Sequence, residues 1–480
     1  MKIEGVDTCF IKKFSNKKEG KNMTKPLSFS AFVMNTASHI LHGLWRDEEG
    51  HQLNFNDINL WVSLAKRLED GGFDAMFFAD VIGLYGDYKG SWEHHVQAGM
   101  QIPSNDPMVL MSALAVNTKH LGLAFTAAPL QEPPFNFARR VSTLDHISKG
   151  RIAWNIVTNA QENAYRNFGY DGLVPHDERY RWADEYVDVL YKLWEGSWDE
   201  GALLQDRKSG IHADPSKVHK IHHVGERYQV EGPHLVSPSP QRTPVLFQAG
   251  SSTAGRDFGA RNAEAVFIVT PDPENACKLI EDTRRLAIQN GREGHDIKFY
   301  QGLSFVIGET EEEARRKEIE LDKNIDLDSI LAHIGGGIGI DLGNLSLDTL
   351  IENVETEGVR STLDWVQQST PGRTPTVADF ARLRDKSTRI VGTPETIADQ
   401  LEIWSEAGVD GINVINATIP GSYEEFIDQV MPVLRKRGLV RNKHGEPGTF
   451  RHTLFGTDRL SERHPAARYR GAFTAKGATQ

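Results

Sequence analysis

Short runs rich in β-branched and aromatic residues alternate along this chain with longer segments whose apolar positions recur at helical spacing. LSFSAFVM, Leu27 to Met34, is the first run and reads as a strand. From Asp57 to Asp70, Leu60, Leu64 and Leu68 share one helical face, and Gly71 and Gly72 stop the helix. FDAMFFAD (Phe73 to Asp80), LGLAFTAAP (Leu121 to Pro129) and RIAWNIVTN (Arg151 to Asn159) are the next strands, with a helix over Asn136 to Ile147. A helix from Tyr180 to Trp194 follows. Then Glu195 to Arg242, rich in His, Pro, Gly and Asp, reads as an insertion holding a small hairpin. PVLFQAG (Pro244 to Gly250), AEAVFIVT (Ala263 to Thr270) and FYQGLSFVIG (Phe299 to Gly308) restore the rhythm. A second insertion, about Asp326 to Lys386, carries the glycine run Gly335 to Gly337. Gly392 to Gly408 is a helix with Thr393 as its N-cap and Gly408 past its end. GINVINA (Gly411 to Ala417) is the eighth strand, and Ser422 to Arg437 the closing helix.

Eight strand–helix units predict an α/β fold: a TIM (β/α)8 barrel with two long insertions and a C-terminal extension. A doubly wound sheet alternates in the same way, but no G-x-G-x-x-G follows the first strand. The expected organisation is an N-terminal arm over 1–25, with Met23 as an alternative start. The barrel domain then spans 26–439, with its insertions at about 195–242 and 326–386, and a tail over 440–480 wraps it. That tail carries eight Lys/Arg against three Asp/Glu, interspersed with Phe450, Phe455, Tyr469 and Phe473. In an acidic protein such a segment packs on an acidic face or on a second subunit.

Composition narrows the function. A net charge of −12 over 480 residues disfavours nucleic acid or an anionic membrane as partner, since both require a basic face. No stretch has the apolar length of a membrane span. Cys9 and Cys277 have no neighbour at metal or redox spacing, and a reducing, cytoplasmic setting fits. Among the 18 histidines no H-E-x-x-H occurs, and His219, His222 and His223 read as solvated loop residues; no metal site is expected. No G-x-S-x-G elbow supports a serine hydrolase.

In a barrel the C-terminal strand ends form the active face, so polar residues there carry the chemistry. Asp80 ends an apolar run; a turn or helix cap would use it equally well. Thr126 sits late in the third strand. Asn155 interrupts the fourth, where a buried amide needs partners for both its donor and its acceptor. In QAGSSTAGR (Gln248 to Arg256) a strand ends and a helix begins. The backbone N–H groups there, the hydroxyls of Ser251 and Ser252 and the Arg256 guanidinium form a phosphate cradle, although an ordinary serine N-cap also fits.

At HGLWR (His42 to Arg46), FFADVIGLY (Phe77 to Tyr85), STLDHISKGRIAWNIVT (Ser142 to Thr158), HDERYRWADEY (His176 to Tyr186), SPQRTPVLFQAG (Ser239 to Gly250) and PGSYEEFIDQVMPVLRKRGL (Pro420 to Leu439) the chain resembles the bacterial-luciferase-like flavin monooxygenases. Within them it is similar to the nitrilotriacetate, EDTA and dibenzothiophene-sulfone subgroup, and most of all to the long-chain alkane monooxygenases. The resemblance implies a two-component enzyme. A separate NAD(P)H:flavin reductase supplies reduced FMN, and O₂ is activated as a flavin C4a-(hydro)peroxide to oxidise a small hydrophobic substrate. It implies flavin-ring and ribityl contacts at Asp80, Thr126 and Asn155, and phosphate contacts at Tyr180, Ser251 and Ser252. On the substrate side it implies His39, Tyr85, Gln101 and His333, the last preceding a glycine run suited to a lid, and it implies a homodimer or tetramer. Thr36 and Ala160 depart from the alkane branch, which has cysteine and histidine there. Riboflavin cleavage, a non-catalytic flavin-binding protein and a deazaflavin-dependent reductase are the competing readings.

Overall fold

Eight strands pair in parallel into a closed ring: β1 Ser28–Met34, β2 Ala75–Ala79, β3 Gly122–Ala127, β4 Ile152–Ile156, β5 Val245–Gln248, β6 Ala265–Ile268, β7 Lys298–Ile307 and β8 Gly411–Ile415. The structure, a computed structural model, describes residues 25–350, 373–442 and 444–474. β1 joins β2 and β8 through Ser30, which lies opposite Ala75 on one side and Asn413 on the other. The ring closes where Ala265 of β6 meets Lys298 of β7. Alternate side chains point inward and outward. Phe32, Phe77, Phe247 and Tyr300 fill the barrel, while Phe29, Phe78, Trp154 and Leu246 face the helices. Burial on both faces is why the strands read as near-continuous apolar runs.

Helices α1 (Ile58–Gly71), α2 (Pro107–Asn117), α3 (Pro134–Ser148), α4 (His176–Tyr191), α5 (Thr253–Asn262) and α6 (Pro273–Gln289) surround it. α4 starts a turn earlier than its apolar spacing predicts, because Pro175 precedes it and Asp177 and Glu178 suit the positive end of its dipole. Thr393 accepts from the Thr396 amide and caps the helix Pro394–Glu406, as expected.

The first insertion holds two hairpins: Leu203–Asp206 with Ile211–Ala213, and His223–Val224 with Gln229–Val230. Its histidines are not all solvated. His219 lies 2.8 Å from Asp199, and buried His223 lies 2.8 Å from Lys192 and 3.3 Å from Glu185. Only His222 of the three is exposed. Composition marks this segment as polar but cannot show which carboxylates fold back onto it.

The second insertion follows β7, whose last residues leave the barrel to pair with the strand Arg389–Gly392. α7 (Glu311–Asp322) precedes the insertion, which contributes α8 (Leu327–Ile338) and α9 (Val377–Lys386); residues 351–372 of the predicted insertion lie outside the described ones. α8 packs on the loop after β2, with Tyr85, Tyr88, Met100, Ile330 and Leu331 in one cluster. The glycine run is helical, the last turn of α8. Gly336 is required there by close approach, since a Cβ on it would lie 1.9 Å from the Tyr85 carbonyl oxygen. Residues 1–24 of the predicted 1–25 arm lie outside the described residues.

The C-terminal segment closes the opposite end of the barrel. Phe450 joins the interior cluster, its ring parallel to Phe247 at 6.4 Å. Arg451, also buried, donates to both carboxylate oxygens of Glu264 at 2.7 and 2.8 Å. Beyond it Arg459 and Arg470 converge on buried Glu195, and Arg463 on Asp296. The basic tail is therefore neutralised on acidic groups of its own barrel.

Candidate active site

The sequence-predicted residues gather in three groups at the C-terminal end of the barrel. In the first, Thr126 and Asn155 are register partners on β3 and β4 and both point inward. The Thr126 hydroxyl donates to the Phe78 carbonyl at 2.8 Å and accepts from Asn155 Nδ2 at 3.0 Å. That leaves buried Asn155 Oδ1 without a protein partner. Asp80 stands at the end of the neighbouring β2. Burial, and secondarily the negative charge of Asp106, raise its carboxyl from the ordinary range to about 8. It is therefore largely protonated at neutral pH and able to donate.

The second group surrounds a pocket of ≈ 260 Å³ between the ends of β5 and β6, lined by Gln248, Gly250, Ser251, Arg256 and Phe267. Ser252 caps α5 by accepting from the Gly255 amide at 3.1 Å, so its hydroxyl already serves the helix, while Ser251 is exposed to the pocket. Tyr180 reaches in from α4: a Cβ on Gly250 or Gly255 would lie 2.5 or 2.7 Å from its hydroxyl oxygen. Two glycines thus let a phenol come to the start of α5, where backbone N–H groups and the positive dipole end converge. Arg256 Nε and Gln248 Oε1 are buried without partners. Gln248 was not singled out from the sequence. It ends an apolar strand just as Asp80 does, and the same rule would have found it.

The third group forms the roof. Gln101 donates to the His39 carbonyl at 2.8 Å, leaving Gln101 Oε1 and His39 Nδ1 buried and unpartnered. Tyr85 lies against His333 of α8, ring centroids 4.4 Å apart. Burial, and then the nearby His333, push His39 down to about 3, so its ring is neutral; burial keeps the Tyr85 phenol un-ionised. Thr36 is turned away from such duty, donating to the Pro103 carbonyl at 2.8 Å, and Ala160 is exposed. Roof and pocket are joined by aromatic rings: His39 contacts Phe32 at 4.5 Å, and Phe32 contacts Phe267 of the pocket at 4.7 Å.

These residues fit a flavin phosphate. Arg256, Ser251 and Tyr180 can hold a dianion, while Asn155, Gln248, Gln101 and His39 offer orphaned donors and acceptors to a polar planar ring. Among the described residues no group of three or more His, Cys, Asp or Glu could hold a metal ion, and no helix is long and apolar enough to cross a membrane.

Asp80 supports a pH prediction. Unfolded, its carboxyl ionises near 3.8; folded, near 8. Between those values the unfolded state binds fewer protons, so stability falls as pH rises and levels off above about 8. The melting temperature of Asp80→Asn relative to the parent should therefore climb from about pH 4 to about 8 and then stay constant. A difference independent of pH would place the ionisation elsewhere.

The family model described as luciferase-like monooxygenase matches residues 34–411. A long-chain alkane monooxygenase of Geobacillus thermodenitrificans is 44% identical across 93% of this chain and 99% of its own length. A solved structure of a long-chain alkane monooxygenase, 43% identical over 93% of this chain and all of its own, superimposes with a TM-score of 0.86. A dimethyl-sulfide monooxygenase of Hyphomicrobium sulfonivorans is 43% identical across 95% of this chain and 96% of its own, and the structure from that organism gives a TM-score of 0.88. A riboflavin lyase, solved with modified FMN and riboflavin, is 36% identical over 93% of this chain and all of its own, with a TM-score of 0.84. Sequence, closed barrel and flavin-compatible pocket agree: this chain belongs to the luciferase-like monooxygenase family.

Proposed function

We propose that the chain is the oxygenase of a two-component system, oxidising a small hydrophobic molecule with O₂ and reduced FMN from a separate NAD(P)H:flavin reductase. Long-chain alkane hydroxylation is the first candidate. The observation that carries this reading is the neutrality of the roof and mouth. His39 is held uncharged, Asp80 is protonated at neutral pH, the Tyr85 phenol is un-ionised, and Gln101 is an amide. Polar groups that hydrogen-bond without fixed charge suit an apolar substrate, whereas a polyanion would need a cationic counterpart. The 44% identity to an alkane monooxygenase supports the same class, and a relative named component A of nitrilotriacetate monooxygenase supports a partner reductase.

In this reading Arg256, Ser251 and Tyr180 hold the FMN phosphate, joined by the hydroxyl proton of Ser252, whose oxygen caps α5, and Asp80, Thr126 and Asn155 face the ring and ribityl chain. Reduced FMN supplies the oxygen-activating chemistry. The protein's own work is to place the substrate, exclude water, and hold or move protons at His39 Nδ1, Gln101, Tyr85 and His333. A second reading makes riboflavin the substrate. It is favoured by the lyase similarity and by Thr36 and Ala160, which present no thiol or imidazole to the pocket.

The test is product analysis by mass spectrometry, with purified protein, FMN, NADH and a generic flavin reductase. Parallel tubes receive a long-chain alkane, dimethyl sulfide or riboflavin. Primary alcohol is the expected product. An oxidised product from dimethyl sulfide instead would keep the monooxygenase and change its substrate, and lumichrome would make flavin the substrate. Oxygen uptake no faster than that of free reduced FMN in every tube would overturn the proposal.

A further inference from the structure

At the start of HGLWR, two residues before the helical turn Leu44–Arg46, a second histidine sits behind the roof and takes no part in the assignments above. His42 is almost completely buried. Its Nδ1 lies 2.9 Å from the hydroxyl of Ser38, also buried, and its Nε2 lies 2.8 Å from Nδ1 of His333. The His333 ring is thereby held on two sides, by His42 at a centroid distance of 5.1 Å and by Tyr85 at 4.4 Å. Gly336 fixes the helix that carries it against the Tyr85 backbone.

A nitrogen–nitrogen contact of 2.8 Å is a hydrogen bond only if one ring donates and the other accepts. Two arrangements satisfy the chain. In one, Ser38 donates to His42 Nδ1, His42 Nε2–H donates to His333 Nδ1, and neutral His333 carries its proton on Nε2. In the other, His333 Nδ1–H donates to His42 Nε2, His42 Nδ1–H donates to Ser38, and Nε2 of neutral His333 is bare. The state of His333 Nε2 is therefore written by His42. We propose that His42 is a positioning residue for His333, setting through the Ser38–His42–His333 chain which ring nitrogen of His333 bears the proton.

Several features support this arrangement. Burial, and then the like charge of His333, hold His42 well below the ordinary histidine range, so the ring stays neutral and keeps one donor and one acceptor. The titratable groups around it are His39 on its own loop, His94 and His95 on the segment after β2, and His333 on α8. No carboxylate of the described residues is among them, and a second imidazole stands where an acidic partner stands in the familiar triads.

The inference rests on the reading of His333 as a substrate-side group, but its first test needs neither flavin nor substrate. Protein labelled with 15N in its histidines is compared as parent, His42→Gln, His42→Phe and Ser38→Ala, with His333→Gln to assign the signals. The parent is expected to show two widely separated ring-nitrogen signals for His333, the mark of one tautomer. In His42→Phe they should collapse toward an average. In His42→Gln, whose amide can still donate to or accept from Nδ1, the separation should persist. Unchanged His333 signals in His42→Phe would overturn the proposal. If that variant does not fold, Ser38→Ala decides: loss of the single tautomer supports the chain, and its retention overturns it. With a substrate from the product screen, His42→Phe should lower kcat by roughly 10–100-fold, the range set by partners that orient an imidazole, with KM little changed. His42→Gln should recover part of that loss. A failed product screen with intact tautomer effects would count against the monooxygenase reading alone.

Discussion

Arg451→Met should lower the unfolding free energy by about 3–5 kcal/mol, the range for breaking a buried ion pair on one side. Its guanidinium meets both oxygens of Glu264 and the Thr243 carbonyl, and it is 1% exposed while Glu264 is 5% exposed. Removing the cation leaves a carboxylate in the floor of the barrel whose remaining hydrogen bond comes from the Leu246 amide at 3.2 Å, with the Arg292 guanidinium acting on it only from beyond ion-pair distance. The cost is that of an uncompensated buried charge, so Arg451→Met with Glu264→Gln should regain most of the loss. Urea unfolding of the parent, both single variants and the pair measures the cycle. A loss in Arg451→Met below about 1 kcal/mol, the level of an exposed pair, would show that water reaches the site.

Arg256→Ala should weaken FMN binding by roughly 10–150-fold, the equivalent of a charge-assisted hydrogen bond of about 1.5–3 kcal/mol. The same substitution should leave riboflavin affinity nearly unchanged, because riboflavin lacks the phosphate. Arg256 has a buried, unpartnered Nε at the edge of the pocket, and Ser251 and the start of α5 complete the cradle. Isothermal titration with the two ligands makes the comparison internal to each variant. Equal losses for FMN and riboflavin would place Arg256 beside the ring rather than the phosphate. No loss for either would remove it from the flavin site altogether.

The barrel was legible because each strand is buried on both faces, and such runs announce themselves one at a time. Asp80, Thr126 and Asn155 were legible by the same logic: a polar group in an apolar run demands a partner, and in a barrel the demand falls at the strand ends. Strand pairing was less legible. FYQGLSFVIG gives no sign that its second half leaves the barrel for Arg389–Gly392, since an apolar residue does not say which neighbour covers it. The roof was hidden further, because its contacts cross the chain. His42 meets His333 across 291 positions, and Arg451 meets Glu264 across 187. His39, Tyr85, Gln101 and His333 entered through family resemblance, not through any local pattern. His219 and His223 of the first insertion were misread for the same reason: their acidic partners, Asp199 and Glu185, sit in a turn beyond α4 and on α4 itself.

The floor laid by Phe450 and Arg451 has a consequence for how the molecule is made. A ribosome delivers β1 first, yet one edge of β1 stays bare until β8 emerges, and the barrel's base stays open until residue 450 follows. A chain that folded as it emerged would present a curved sheet with two unpaired margins and an uncovered aromatic interior, the surfaces on which chains stick to one another. Emergence of Phe450 and Arg451, rather than the completion of any single βα unit, is the step that covers the barrel's base. A message cut short by a few dozen codons would retain every residue of the roof and pocket and still yield a chain destined for chaperones or proteases.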